Sequence, residues 1–293
     1  MPSWLKAEGW LPTNLRGKLR VIANKSDREL AFLHDLYVST DWGERFAELI
    51  DKHVKPPKKG SMLYVVSGTG GHALAMQERA GDKLRLVCID ENEESLELAR
   101  AKAMAVRADP EFHRAQLEAL PFEDDQFELV IGDASLVAVE RLPEMLAEMV
   151  RVAAPGGTVA VGLPTYSSFG EFFSVYWEAL RTLSLEDHEH DVESLITELP
   201  TIGAVEAMLA REGLDNVLSE MQIEEFDYES GEEFLNAPLI TDFLLKRWLE
   251  TLPEEIGLEN VLKEIERIID AERQDMNFSL SVKATTIVGR KAS

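Results

Sequence analysis

At 293 residues with 45% apolar composition, the chain is long and apolar enough to bury a substantial core, which excludes a disordered protein. Its 54 acidic against 30 basic residues give a formal charge of -24, which repels phosphate backbones and excludes nucleic acid as an expected partner. There is no run of about 18 apolar residues, no signal-like N-terminus, and a lone cysteine, Cys88, without an internal partner, so a soluble cytoplasmic protein that avoids membranes is expected.

Residues 1–25 hold Trp4, Trp10, Pro12 and Gly17 without a period and read as an arm. From Ser26 to about His53, Leu30, Leu33, Leu36 and Tyr37, then Phe46, Leu49 and Ile50, recur at helical spacing on either side of Trp42-Gly43 and predict a helical cap. The run Lys55-Pro56-Pro57-Lys58-Lys59 is a solvated linker. Residues 1–58 are therefore expected to be an N-terminal arm and cap, and residues 59–293 the main domain.

The pattern then alternates. Met62–Ser67 predicts a strand, followed by a glycine turn and a helix through Ala80; Leu84–Asp90 predicts the next strand, and Glu93–Val106 a helix with Leu96, Ala99, Ala103 and Val106 on one face. A short strand near Phe112–Gln116, a strand Phe127–Asp133, a helix Pro143–Ala153 and a strand Thr158–Leu163 follow. Such alternation requires a doubly wound, mostly parallel sheet with helices on both faces. Beyond Pro164, helices are predicted at Glu171–Leu183, Ile202–Glu212, Phe234–Leu252 and Leu258–Glu272, and strands at Val217–Tyr228 and Phe278–Val288. The last two strands predict an antiparallel pair whose connection has grown into a helical insertion at about residues 231–276, giving an α/β sheet of seven strands with an antiparallel final strand.

The chemistry concentrates at Gly68-Thr69-Gly70-Gly71. Successive glycines between a strand and a helix let backbone approach a ligand at a helix N-terminus, the arrangement that accepts a nucleotide. Gly68, Gly70 and Ala73 also fit the dinucleotide fingerprint, with Asp90 ending the next strand where it accepts ribose hydroxyls. Glu186-Asp187-His188-Glu189-His190-Asp191 carries ligand-type side chains in a stretch read as a loop, but no second cluster at a recognised spacing, so no metal site is expected. His34, His53, His72 and His113 are isolated, and ordinary helix or strand positions account for them. The aromatic run Ser167–Trp177 either lines an acceptor pocket or covers the sheet, and Phe234, Leu239, Phe243, Leu244 and Trp248 form a second apolar face, a lid or a homodimer contact.

Four stretches in order resemble the class I S-adenosylmethionine-dependent methyltransferases of the small-molecule type. Met62–Gly71 is similar to the family's first motif, Asp90 to the acid after the second strand, Leu117–Phe127 to the approach to the fourth strand, and Glu148–Gly157 to the helix and Pro-Gly-Gly turn before the fifth. The resemblance covers roughly residues 60 to 165. It implies S-adenosylmethionine as cofactor, a small or medium-sized acceptor, and cofactor contacts from Ser67, Gly68, Thr69, Gly70, Asp90, Glu91, Gln116, Leu117 and Asp133. No universal catalytic residue is implied, because methyl transfer from a sulfonium depends on alignment; Tyr37, Asp133 and Tyr166 are candidates beside the reacting groups. The pattern departs from the family at Tyr64, where an acid is usual, at Val66, in place of the first glycine, and at Gln116, in place of an Asp. Those departures keep a second reading alive, a non-catalytic binding or regulatory subunit of the same fold. The glycines and Asp90 alone support a third, an NAD(P)-dependent oxidoreductase.

Overall fold

The computed structural model describes residues 25–81, 83–252, 257–272 and 276–293, so the arm predicted over residues 1–25 lies, apart from Lys25, outside the described residues. Seven strands, β1 (Gly60–Val65), β2 (Leu84–Asp90), β3 (Glu111–Arg114), β4 (Phe127–Asp133), β5 (Ala153–Pro164), β6 (Leu214–Tyr228) and β7 (Phe278–Lys291), form one sheet in the order β3-β2-β1-β4-β5-β7-β6. The first five pair in parallel, and β7 runs antiparallel to both β5 and β6. The order in which strands are added reverses between β1 and β4, all still parallel, so loops at the carboxyl ends of β1, β2 and β4 open around one crevice.

Helices α3 (Gly71–Ala80), α4 (Glu93–Val106) and α5 (Leu142–Val152) follow β1, β2 and β4 as crossovers. Because side chains alternate along a strand, Met62 and Tyr64 enter a core with Ile50, Leu74 and Met76, while Leu63 and Val65 enter another with Met145 and Met149. Before the sheet lie α1 (Asp27–Leu33), a π-helical segment His34–Gly43, and α2 (Glu44–His53), continuous through Trp42-Gly43. The later helices are α6 (Gly170–Thr182), α7 (Glu189–Glu198), α8 (Ile202–Arg211), α9 (Gly231–Asn236), a second π segment Leu239–Leu244, α10 (Leu245–Trp248) and α11 (Leu258–Glu272). A third core, rich in aromatic rings, joins Trp42 and Phe46 to Phe169, Phe172, Tyr176, Phe234 and Trp248.

Several local expectations are corrected. The helix predicted over Phe234–Leu252 breaks at Ala237, which is extended (ψ 128) ahead of Pro238, the conformation a following proline imposes. Leu36 and Tyr37, counted in the helical period of the cap, are 59% and 57% exposed, since the wider π winding shifts the buried positions to Val38 and Trp42. Val106 is 66% exposed in the last turn of α4, which outruns the core before Arg107 caps it in the left-handed region. The acidic-histidine stretch is a 3₁₀ turn, Glu186–His188, running into α7. The strand near Phe112–Gln116 ends at Arg114, leaving Gln116 in the turn beyond.

Strand β6 is the outer edge of the sheet, and most of its residues from Asp215 to Glu225 are exposed, among them Leu218, Met221 and Ile223 interleaved with Glu220 and Glu225. Among the described residues no helix is long and apolar enough to cross a membrane.

Candidate active site

The turn after β1 is shaped by three residues in the left-handed region, Val66 (φ 57), Gly68 (φ 52) and Gly70 (φ 78). Gly70 is required by packing as well, since a Cβ there would lie 3.0 Å from Ala99 Cβ on α4. The backbone closes on itself: Gly70 N–H donates to Ser67 O and Ser67 N–H to Ile89 O, each at 2.9 Å. Gly68 N–H donates to Asp90 Oδ2 at 2.8 Å, and Asn92 N–H to Asp90 Oδ1 at 2.9 Å. Asp90 is only 8% exposed. Burial pushes its carboxyl above the usual range, and the bonds from Asn92 and Gly68 only partly offset that. Each of its oxygens takes one N–H and retains a lone pair for a further donor.

The first π segment crosses this turn. Thr69 Oγ1 donates to Asp35 Oδ1 at 2.5 Å, and Lys102 Nζ from α4 pairs with Asp35 and donates to Thr69 Oγ1 at 3.0 Å. Burial pushes the Asp35 carboxyl up, but the bonds from Lys102 and Thr69 outweigh it and hold it below the usual range. Beside Asp35, the His34 ring packs edge-on to Phe243 of the second π segment, at 5.8 Å between centroids. Its Cε1 would stand 3.1 Å from a Cβ at position 68. Burial lowers the His34 pKa, against the opposing pull of Asp133, Asp90 and Asp35. Asp133, half-buried at the end of β4, accepts from Ser135 N–H at 3.0 Å, and Ser135 Oγ accepts from Trp42 Nε1 at 2.9 Å.

On the far side of Asp90, Glu91 meets the Arg141 guanidinium at 2.7 and 2.8 Å, and Glu118 pairs with the same group. Leu117 is buried and Gln116 is exposed next to it. Ser67, Gly68, Thr69, Gly70 and Asp90 thus form one bonded unit, Glu91 and Gln116–Leu117 flank it, and Asp133 faces it through His34. Tyr37 and Tyr166 join none of these contacts: both side chains are exposed, and Tyr166 is held by its backbone N–H on Pro200 O at 2.9 Å.

Both departures near the turn have a local explanation. Val66 keeps the left-handed backbone that a glycine would supply, with its isopropyl group half-buried against the Leu63 side of the sheet. Tyr64 is buried, with its hydroxyl 2.8 Å from His72 Nδ1; His72 Nε2 lies 3.0 Å from Asp51, which also takes Arg79. Burial pushes the Tyr64 hydroxyl well above its ordinary pKa. This chain of side chains runs from the buried Tyr64 hydroxyl outward to the exposed Arg79 at the end of α3. His34, Asp35 and Lys102 carry no motif, and His34 reads as an ordinary helical histidine until the fold brings it to Gly68. Within the aromatic run Ser167–Trp177, Phe169, Phe172, Phe173 and Tyr176 share a core with Phe234, Leu239, Leu244 and Trp248, against which Phe243 also packs, while Phe173, Ser174 and Trp177 line a cavity of about 540 Å³. Among the described residues no group of three or more His, Cys, Asp or Glu side chains could hold a metal ion.

A family model described as a methyltransferase domain matches residues 62–157. A demethylmenaquinone methyltransferase of Shouchella clausii is 31% identical over 128 residues, 42% of this chain and 54% of that protein. Its counterpart from Bacillus cereus is 28% identical over 187 residues, 60% of this chain and 77% of its own length. The match thus spans about half the length of the first of these relatives. Among solved structures, phosphoethanolamine N-methyltransferase 2 of Haemonchus contortus, in complex with phosphomonomethylethanolamine and S-adenosylhomocysteine, superposes with a TM-score of 0.54 at 13% identity, covering 94% of this chain and 60% of that one; the likeness is one of fold.

Proposed function

We propose that this chain, a member of the class I S-adenosylmethionine-dependent methyltransferases, moves a methyl group from S-adenosylmethionine to a small-molecule acceptor. The observation that carries the reading is the 2.8 Å bond from Gly68 N–H to Asp90, which ties the glycine turn to the acid ending the next strand. In that arrangement the turn offers backbone to the adenosyl group, and Asp90 has a lone pair on each oxygen for the two ribose hydroxyls. Ser67, Thr69 and Gly70 shape the turn, Leu117 supplies an apolar wall beside Gln116, and Asp133 stands at the β4 end of the crevice.

When bound, the cofactor supplies a methyl group on a sulfonium, an electrophile whose transfer is governed by alignment and exclusion of water. The residues of this chain provide the enclosure: the two π segments roof the crevice, with His34 and Phe243 in contact. Val66 favours an active copy over a non-catalytic relative, because it preserves the left-handed turn of a glycine.

Calorimetric titration with S-adenosylhomocysteine tests the reading. Native protein is expected to bind, and Asp90→Ala to bind about 10–100-fold more weakly, the loss expected for hydrogen bonds to a charged acceptor. Absence of binding by native protein at millimolar ligand would sink it.

A further inference from the structure

Among the described residues, the helical stretch over the glycine turn is held unevenly along its length. From Val38 onward it is held firmly: Val38, Trp42 and Phe46 are buried in the aromatic core, and Trp42 bonds to Ser135. Between Asp27 and Tyr37 only Ala31 is buried, while Phe32, Leu36 and Tyr37 are exposed. A cavity of about 190 Å³ between α1 and α4 is lined by Arg28, Ala31, Phe32, Glu94, Glu97 and Leu98. Among the described residues this half is held mainly by polar contacts: Lys25, just before it, with Asp242 of the second π segment, Asp35 with Thr69 and Lys102, and the Asp27 carbonyl with Asn92 Nδ2 at 3.3 Å. Segments with few buried apolar contacts are the ones that open locally.

The same half carries His34. Its ring fills the space against Gly68, and its Nδ1 is buried without a hydrogen-bond partner, a destabilising contact for a resting imidazole. The change from weak to firm anchoring falls inside the π segment, a winding that often marks a functional site.

Resting on the function proposed above, we propose that residues 27–37 form a gate over the cofactor crevice, hinged between Tyr37 and Val38, with His34 as its plug and Asp35 as its latch. An adenosyl ligand settles on Gly68 only after the imidazole leaves, so its apparent affinity is scaled by the fraction of molecules with the gate open.

Two variants separate plug from latch. In Asp35→Asn, amide hydrogen exchange over residues 27–37 is expected to quicken about tenfold without ligand, while residues 44–53 and the sheet keep their native rates. His34→Ala is expected to bind S-adenosylhomocysteine about tenfold more tightly than native protein, as if a gate open in about a tenth of molecules had been unplugged. Equal or weaker binding by His34→Ala, or exchange that quickens through residues 44–53 as well, overturns the gate and leaves the methyltransferase reading standing. No heat from native protein or either variant overturns that reading, and the gate with it.

Discussion

Two side chains that break the family's pattern show how a residue can change while the backbone around it does not. A β-branched residue in the left-handed region costs about 1–3 kcal/mol, and at Val66 the half-buried isopropyl group partly offsets that cost. Tyr64 is the buried end of a chain that runs through His72 to Asp51 and the exposed Arg79. Burial pushes the Asp51 carboxyl up, but bonds from His72 and Arg79 outweigh it and hold the folded carboxyl at about 2, below the ordinary 3.8. A carboxyl lowered on folding adds stability above its unfolded pKa and loses it as pH falls through the folded one. The Asp51 contribution should therefore be complete above about pH 5 and lost progressively as pH falls through about 2 toward 1. Asp51→Asn should be less stable than native protein at pH 7 by about 1 kcal/mol, allowing for solvent screening, and the difference should close on acidification. Denaturant melts across that range check it; a gap that does not narrow would remove the charge from the account. At this scale the sequence was informative about the turn and Asp90, because a strand, glycines and an acid are local signals. It was silent on His34, which lies against Gly68, and on Asp35 and Lys102, whose meeting at Thr69 depends on tertiary placement of a cap 34 residues away.

Elements were legible where a period was sustained. Glu93–Val106 and Phe127–Asp133 match their predicted bounds because their apolar patterns end at strong stops, an αL cap at Arg107 and the acid Asp133. The insertion was harder to read, since Pro238 divides one apolar period among three short pieces whose faces are completed by distant helices. Its docking depends on Gly231 at the start of α9. A Cβ there would lie 2.7 Å from Glu266 O and 2.8 Å from Glu266 Cα, backbone atoms of α11, and the Gly231 N–H donates to Asp270 at 2.9 Å. Gly231→Ala is expected to cost about 2–3 kcal/mol by forcing α9 off α11. A thermal melt of the variant indistinguishable from native would show that the two helices separate at little cost.

At the scale of the molecule, the parallel half was legible and the reach of the cap was not. Strand-helix alternation predicts the doubly wound sheet, and the two late strands predict their antiparallel pairing. The aromatic core, however, comes from joining the cap, the β5–α6 aromatics and the insertion, a combination no single stretch encodes. The long outer strand β6 has a consequence of its own. Among the described residues no strand pairs with its outer edge; it carries exposed apolar side chains at Leu218, Met221 and Ile223, and negative charge, from Glu225 locally and from a chain of net charge -24, opposes the pairing of two such edges. Acid neutralises that protection while leaving the apolar side chains in place. Near its pI of about 4.6, self-association through this strand should therefore increase, and Ile223→Lys should suppress that increase in light scattering. Solubility, for this fold, is a property its carboxylates maintain at one strand.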